Sequence, residues 1–596
     1  MTDATATPPA PESPRPVSAR LDDSDPPWPL RPWIMAAICA IAGLIFHFLV
    51  DRAYDSAGEP WRAALAALVA VSTLVFVLGV ERRRWHWAAG FALLWGAVMG
   101  LISWHSAGYN VGGSPVEWPF WSGLLAVLVA TPLFQTRRDV APDWRFWRLW
   151  TMPYDRIHGH AWADAVIGAA GLVFTGITFL LMWLIASLFD LIGIDLIKQL
   201  MGKSWFGWML AGAAFGGAVG LLLERDRLVA TLQKLVMIVL AVLAPVLAVA
   251  LVLFLISLLG TGLQKLWDSG FSTAALMLSA AAFAVLLANA VIGNGAADRS
   301  GNRLLHGAAA VLAVAVLPLA AIAFRAMLLR IGQYGWTPER IWGVIAVLIA
   351  LAYGLAGVWA LVKGRRGFDD MLRPLQQRLA IGLMLLAAFL ALPILDFGAI
   401  STRDQMARLK SGAVTAEKFD WAAMAFDFGP SGREALKELA GSPDTARAQL
   451  ANWALKAEQR WDLVRFEGEE ATDIAFAAKP LLERVRVVPE GRDVPEPLLA
   501  LIEREGDCRA SRCVLLWVAA DRAALIGRSH RQVTLFKGDP AAGSWARDDR
   551  GFRFGGAREG EEAPTSEELE TGQVEVRPVT RQQIFVNGKP VGQDFE

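Results

Sequence analysis

Apolar runs of about 20 residues, the length that an α-helix needs to cross a bilayer, recur along the first two thirds of the chain. Before them, residues 1–30 contain eight Pro and predict a disordered Pro-rich tail. The runs predict an α-helical polytopic membrane protein, with a transmembrane helical bundle of about eleven helices over 31–396. The predicted spans are 33–50, 61–80, 85–104, 118–134, 162–188, 205–223, 235–259, 271–293, 305–324, 341–362 and 379–395.

Two segments permit more than one interpretation, and each affects whether the number of spans is odd. The run 229–260 has Pro245 at its centre, so it fits either one kinked helix or a re-entrant pair. The stretch 187–200, SLFDLIGIDLIKQL, fits a helix that lies flat on the membrane.

The chain beyond Asp396 has a higher charge density and no run that is long enough to span a bilayer. N-cap signals and short amphipathic spacings predict a juxtamembrane helical segment over 397–505. Residues 506–596 alternate between apolar and polar positions, and Asn587-Gly588 is a hairpin-turn signal. These patterns predict a C-terminal soluble α+β domain. Its predicted strands are near 513–520, 532–538, 551–555, 573–579 and 581–592.

Charge indicates both orientation and partners. The formal net charge is +0, which gives no support for a nucleic-acid partner. With the N-terminus in the cytoplasm, about 21 Lys and Arg fall on the inner side and about 8 on the outer side, as the positive-inside rule requires. An odd number of spans then places the C-terminal domain in the periplasm of a bacterial inner (plasma) membrane. Many of the 25 Trp lie at the ends of apolar runs, as an interfacial aromatic belt requires.

Cys508 and Cys513 bracket a short segment, DCRASRC, and are a candidate disulfide. Disulfides persist in oxidising compartments, so a bonded pair agrees with a periplasmic domain. Two reduced thiols, or half of a metal site, are the alternatives. The remaining cysteine, Cys39, lies inside the first apolar run and is interpreted as a packing residue.

The densest local pattern is the corner Pro318–Trp342, which joins two apolar segments. Gly332 and Gly335 are expected to break the first helix after Arg330. The second helix begins with a hydroxyl N-cap, a proline at the first helical position and a carboxylate in the first turn. This candidate helix cap consists of Thr337, Pro338 and Glu339.

The same corner carries a cluster of positive charge. The planar fork of arginine suits a lipid head group, a phosphate or an acidic partner. The alternative interpretation is that these arginines snorkel and match the helix dipole. The candidate anion or lipid contacts are Arg325, Arg330, Tyr334 and Arg340.

Other groups favour structural roles. The Trp- and Arg-rich stretch 143–164 predicts an amphipathic helix on the inner leaflet. It contains His158 and His160, which cannot share a helical face, so no metal site is predicted. A ladder of small residues at four-residue spacing predicts close helix packing. The ladder consists of Gly212, Gly216 and Gly220.

Recognisable catalytic motifs are missing from the sequence: there is no P-loop, H-E-x-x-H, G-x-S-x-G or C-x-x-C. No cofactor is predicted and an enzyme is disfavoured. Asp420 and Asp427 are the remaining acid–base candidates, against the alternative that they cap helices or are solvated. Charges inside the spans are scarce, which disfavours an ion-coupled carrier.

Two stretches, RIGQYGWTPERIW and ISTRDQMARLKSG…KFDWAAMAFDFGPSG, carry a family resemblance. The first has an R-x-x-x-YG-x-TP-x-R corner at Arg330, Tyr334, Gly335, Thr337, Pro338 and Arg340. The second matches at Gln405, Arg408, Leu409, Gly412, Phe419 and Asp420. In these motifs the chain resembles the uncharacterised bacterial membrane proteins grouped as domain of unknown function 4153, over most of 30–440. The resemblance implies a membrane location and many spans, with no activity and no catalytic residues.

Three functions follow as hypotheses. The preferred one is a non-enzymatic inner-membrane protein that contacts membrane lipids and anchors a periplasmic domain, which binds an envelope protein or lipid partner. The second is a transporter or lipid flippase, which predicts a continuous polar cavity through the bundle. The third is a membrane-embedded transferase, which predicts clustered carboxylates or His at one interface.

Overall fold

Long apolar helices follow one another from Arg31 to Ala391. The computed structural model describes residues 27–50, 59–107, 114–140, 152–267, 272–295, 299–464, 480–505, 508, 513–526, 533–539, 543–548, 582–586 and 589–595. Two compact units divide the chain, Met1–Ser401 and Thr402–Glu596.

The first unit is entirely helical in its described part. Its helices are α1 (Arg31–Val50), α2 (Pro60–Gly79), α3 (Trp85–Ala107), α4 (Ser114–Val140), α5 (Tyr154–Leu191), α6 (Leu196–Met201), α7 (Ser204–Leu223), α8 (Asp226–Thr261), α9 (Gln264–Trp267), α10 (Thr273–Ile292), α11 (Arg303–Tyr334), α12 (Pro338–Gly364) and α13 (Phe368–Ala391). A further helix, α14 (Phe397–Lys410), crosses the boundary between the units.

Ten stretches of the described chain are long and apolar enough to cross a membrane. The tenth, Pro338–Ala391, contains α12 and α13, which a 3-10 turn at Arg365–Gly367 separates. Each predicted span therefore corresponds to a helix, and the predicted helical membrane bundle is confirmed. The chain is an integral, multi-pass membrane protein.

Both ambiguous segments have one structure each. The run around Pro245 is a single helix, α8, rather than a re-entrant pair. Within a bundle such a proline is tolerated because neighbouring groups satisfy the backbone carbonyl that it frees. The stretch after Ile185 contains the end of α5 and then the separate short helix α6.

Helix α5 begins at Tyr154, eight residues earlier than the predicted span. Its first turns are polar, yet two of their side chains have partners elsewhere in the bundle. Tyr154 donates to Gln376 Oε1 at 3.2 Å, and His158 lies 2.6 Å from Asn294 Oδ1. The sequence placed these turns at the membrane surface because it could not show these partners. Most of the Trp-rich part of that stretch, 141–151, lies outside the described residues.

Small residues let α1 and α7 approach closely. A Cβ added at Gly212 would clash with the carbonyl oxygen of Cys39, and one at Gly216 would clash with that of Met35. At Gly220 it would lie 2.8 Å from the Cα of Pro32. Cys39 itself is buried here, so the glycine ladder and Cys39 both have the packing role that the sequence predicted.

Polar contacts join the helix ends on one side of the bundle. Arg31 donates to the carbonyl oxygen of Val80 at 2.5 Å, and Arg373 donates to that of Ile292 at 2.8 Å. We call this side the arginine-rich end. It contains Arg31, Arg138, Arg299 and Arg373. The corner between α11 and α12 lies at the opposite end, because α11 begins beside this network and ends 32 residues later.

Apolar side chains also cover the outside of the bundle. On α8, Leu259 is 88% exposed and Val246 is 67% exposed. An apolar surface of this extent is unfavourable in water and is what a lipid-facing helix presents.

The second unit contains two separate hydrophobic cores. The first packs α14 with α15 (Gly429–Ala440), α16 (Thr445–Lys456) and α17 (Arg460–Val464), and its fully buried residues include Leu436 and Leu450. A π-helical turn at Ala423–Asp427 precedes α15.

The second core belongs to a five-stranded sheet. Its strands are β1 (Val485–Val488), β2 (Cys513–Ala519), β3 (Arg522–Ile526), β4 (Val533–Asp539) and β5 (Ser544–Arg547), in the order β1-β2-β3-β4-β5. The first pair is parallel and the others are antiparallel. Helices α18 (Leu481–Arg484) and α19 (Glu496–Glu505) contribute buried leucines to this core. A separate hairpin pairs β6 (Gln582–Val586) with β7 (Lys589–Phe595).

This arrangement confirms the α+β class of the C-terminal domain but moves its boundary. The predicted division at residue 505 separates β1 and α19 from the sheet to which they belong. The sequence did not predict β1, because Val485, Val487 and Val488 follow a segment whose apolar spacing is helical. The strands predicted at 551–555 and 573–579 lie outside the described residues.

Candidate functional site

The corner between α11 and α12 is built by one glycine and one threonine. Helix α11 continues through Gly332 and ends at Gly335, which has φ +76°. Only Gly335 therefore breaks the helix; the expected break at Gly332 is wrong, because helical backbone accepts a glycine when the surrounding bundle holds it. Thr337 then accepts a hydrogen bond from the Arg340 backbone N–H at 3.4 Å, with Pro338 at the first helical position.

Arg340 links the two helices of the corner. Its Nη1 donates to the carbonyl oxygens of Tyr334 at 3.1 Å and of Gly335 at 2.7 Å. Its guanidinium lies 5.4 Å from the centre of the Tyr334 ring. Arg340 thus satisfies the last carbonyls of α11, which is the helix-dipole role that the sequence left open.

A cavity of about 1030 Å³ opens beside this corner, between α4, α9, α10, α11, α12 and α13. Its walls are largely apolar and aromatic, and its charged lining residues are Arg330, Glu339 and Arg340. Arg330 is exposed, and no hydrogen bond or ion pair of its guanidinium is present within the described part of the chain. The structure thus brings Arg330, Tyr334 and Arg340 to one cavity, whereas Arg325 does not line it.

Stacked aromatic rings form part of the lining of this cavity. The Trp118 and Trp342 rings stack with centroids 5.1 Å apart, and Phe397 lies edge-on to Trp342 at 5.2 Å. Below them, Ser122 donates to the carbonyl oxygen of Ala387 at 2.9 Å, which fixes α4 against α13. The sequence assigned Trp118 and Trp342 to an interfacial belt, but it could not show that they contact each other.

A second cavity of about 640 Å³ adjoins the first toward the arginine-rich end. The two share five lining residues, all apolar, which we call the waist. The waist consists of Leu125, Leu278, Ala346, Ile349 and Leu383. Where these two cavities adjoin, the lining is therefore apolar rather than polar.

The structure also shows a buried charge cluster that the sequence did not predict. Arg138 pairs with Glu81, and its Nε lies 2.9 Å from Asp139. Asp139 also lies 2.9 Å from His160, and Arg84 Nε lies 3.3 Å from Glu81. The sequence counted the arginines only as positive charge on the inner side. The feature of the sequence that could have indicated this cluster is the adjacent Arg138-Asp139 pair at the end of an apolar run.

A second ionic group surrounds Asp369, which is fully buried. Arg373 donates to it at 2.8 Å, and Arg299 lies 3.4 Å away. Arg373 also reaches Asp370 at 2.8 Å. These pairs satisfy the charge of Asp369 at the arginine-rich end, and the bond from Arg373 to the carbonyl oxygen of Ile292 joins α13 to α10.

The remaining acid–base candidates have structural partners. Asp420 Oδ1 accepts from the Ala423 backbone N–H at 2.8 Å, and Asp427 forms a forked ion pair with Arg460 at 2.9 Å. His158 and His160 contact different residues, as their spacing predicted. No group of three or more His, Cys, Asp or Glu with metal-binding geometry occurs among the described residues.

Two further sets of predicted residues lie in the second unit. Cys508 and Cys513 are joined by a disulfide with a Cα–Cα distance of 5.6 Å, and both are buried in the core of the five-stranded sheet. Of the second motif, Leu409 and Phe419 are buried, and Gly412 has φ +75°. Leu409 and Phe419 of that motif therefore belong to the helical core.

The fold and this cavity define a multi-pass membrane protein with a large, mostly apolar cavity beside the α11–α12 corner. Its family agrees with the resemblance of its motifs: residues 31–439 match the family described as Domain of unknown function (DUF4153), and the chain belongs to that family. No curated protein and no solved structure matches the chain.

Proposed function

We propose that this protein binds an anionic phospholipid in the cavity beside the α11–α12 corner. The observation that best supports this proposal is the position of Arg330 at the rim of an otherwise largely apolar cavity of about 1030 Å³. A volume near the upper end of the usual 300–1,000 Å³ range of ligand pockets suits a large ligand such as a lipid. Arginine suits a phosphate because its planar fork donates two hydrogen bonds.

Exposure of the wall favours a lipid over a water-soluble anion. Leu125 is 41% exposed and Leu386 is 36% exposed, and both line the cavity within candidate membrane spans. A ligand that enters between them passes through the hydrocarbon layer. The acyl chains of the bound lipid then lie along the apolar walls, while its phosphate remains at the rim near Arg330.

The direct test is a titration of delipidated full-length protein in detergent with dioctanoyl-phosphatidylglycerol, measured by isothermal titration calorimetry. We expect saturable binding, and Arg330→Ala should weaken it about tenfold, the loss of one charge-assisted hydrogen bond worth about 1.5 kcal/mol. Arg325→Ala is the matched control, because Arg325 is an exposed arginine on the same helix that does not line the cavity.

Two results would overturn the proposal. One is equal affinity in the wild-type protein and in Arg330→Ala. The other is equally tight binding of inorganic phosphate, which would identify a free anion rather than a lipid as the ligand. Dioctanoyl-phosphatidylcholine has the same acyl chains but no net charge, so it tests how much the charge contributes to binding. We expect it to bind more weakly than the anionic lipid.

We also propose that the protein lies in a bacterial inner membrane, with the arginine-rich end in the cytoplasm and the C-terminal unit in the periplasm. Three observations support this orientation: the excess of Lys and Arg on one side, the disulfide between Cys508 and Cys513, and the alternation of eleven long helices before Asp396 in the described chain. In that orientation the C-terminal unit faces envelope components, one of which is its proposed partner.

Sidedness can be measured with single exposed cysteines and a membrane-impermeant maleimide in intact cells. Lys437→Cys in the C-terminal unit should react, and Arg83→Cys at the arginine-rich end should react only after the cells are lysed. The opposite pattern would place the C-terminal unit in the cytoplasm and would exclude an envelope partner. Both positions are exposed, so burial does not limit labelling.

A further inference from the structure

The second cavity differs from the first in the chemistry of its lining. It lies between α4, α5, α10, α11, α12 and α13, and none of its lining residues is Lys, Arg, Asp or Glu. Its polar residues are Tyr154, His158, Asn289, Tyr353, Gln376 and Gln377. An ionised group in this cavity would have no counter-ion on the wall, so the lining selects an uncharged ligand.

Most of these polar groups already have partners. Tyr154 donates to Gln376 Oε1 at 3.2 Å, and Gln377 Nε2 donates to the carbonyl oxygen of Met152 at 2.8 Å. His158 Nε2 accepts from the Trp162 indole N–H at 3.1 Å. An indole only donates, so the His158 proton is on Nδ1, where it is directed at Asn294 Oδ1. This imidazole is therefore the neutral tautomer.

Asn289 is different. Its Oδ1 is buried and has no hydrogen-bond partner in the described part of the chain, and the residue itself lines the cavity. A buried amide oxygen without a donor is unfavourable, more so where water is excluded. An occupant that carries a hydroxyl group would supply the missing donor once the side-chain amide turns this oxygen toward the cavity.

The cavity is also accessible from the bilayer. Leu128 lines it and is 55% exposed, and Ala282 lines it from α10 and is exposed as well. These residues lie in the middle of candidate spans, where the surroundings are hydrocarbon rather than water. The occupant therefore enters as an amphiphile. At 640 Å³ the cavity lies well within the volume range of ligand pockets.

We propose that this cavity is a second binding site, which takes the hydroxyl end of an uncharged glycerolipid such as a diacylglycerol, with Asn289 Oδ1 as the acceptor. The apolar waist separates it from the cavity at Arg330, so the two cavities bind different lipids. This inference rests on the proposed lipid-binding function and adds a ligand class and a residue to it.

The test uses full-length protein in detergent and dioctanoylglycerol as the probe. We expect saturable binding that Asn289→Leu weakens about fivefold to tenfold, while Ala282→Trp, which fills the cavity, abolishes it. Ser279→Leu is the matched control, because Ser279 is an exposed polar residue on the same helix outside the cavity. Arg330→Ala should leave dioctanoylglycerol binding unchanged.

The phosphatidylglycerol titration separates the two proposals. If Asn289→Leu and Ala282→Trp retain phosphatidylglycerol binding, they are folded, and unaltered dioctanoylglycerol affinity in both would overturn the second site. Absence of saturable dioctanoylglycerol binding to the wild-type protein would also overturn it and leave the Arg330 site intact. If Asn289→Leu weakens both lipids equally, the groove is one site, and the separation at the waist is wrong.

Discussion

Single residues determine which arginines are available to a ligand and which belong to the fold. Arg340 is held by two carbonyl oxygens at the end of α11, and Arg138 is buried among carboxylates. Arg330, on the rim of the cavity, has neither kind of partner within the described chain. The residue type alone does not distinguish these roles, since the sequence made Arg330 and Arg340 equal candidates for an anion contact and counted Arg138 only as positive charge on the inner side.

Removing Arg138 should destabilise the bundle strongly. In Arg138→Ala, Glu81 and Asp139 lose their buried partner, and breaking a buried ion pair in this way costs about 3–5 kcal/mol. We expect a midpoint of thermal unfolding in detergent that is several degrees lower than that of the wild-type protein. Arg83→Ala, at an exposed position nearby, should leave the midpoint unchanged. Equal midpoints for the two variants would show that the charge cluster contributes no net stability.

At the scale of elements, close approach of backbones requires particular glycines. Gly216 faces Met35 and Cys39 of α1, whereas Gly207 on the same helix has no atom within 4 Å of an added Cβ. The spacing of the glycine ladder was visible in the sequence. Its partner helix was not, because periodicity identifies a packing face but not the element that covers it.

Gly216→Ala should therefore separate α1 from α7. Overpacking of this kind costs about 1–3 kcal/mol, and we expect a lower thermal midpoint and a reduced yield of folded protein. Gly207→Ala is the matched control and should be neutral or slightly stabilising, since alanine favours a helix by about 1 kcal/mol over glycine. A loss of the same size in both variants would contradict close α1–α7 packing as the reason for the ladder.

Element boundaries were predicted well where local chemistry sets them. Thr337 and Pro338 start α12 as their residue types indicate, and Gly335 ends α11. Boundaries that depend on tertiary partners were missed. The polar first turns of α5 are helical because Tyr154 and His158 have hydrogen-bond partners in Gln376 and Asn294. Strand β1 forms because it pairs with β2.

For the whole molecule, the sequence predicted the class and the family but not the cavities. Length and hydropathy are sufficient for a polytopic bundle, since each helix satisfies its own backbone hydrogen bonds. Each cavity is lined by six helices and depends on which helices lie side by side, which no local pattern of the sequence shows. The corner arginines were identified as candidates, whereas Trp121, Tyr154 and Gln376 were not.

The central claim is that an anionic phospholipid occupies the cavity at the α11–α12 corner. Electron cryo-microscopy of the full chain in nanodiscs of phosphatidylglycerol tests it most directly. We expect lipid-shaped density between Trp118 and Leu386, with its phosphate within hydrogen-bond distance of Arg330, and loss of that density in Arg330→Ala. A cavity that contains only water, or that side chains fill in the bilayer, would contradict the account.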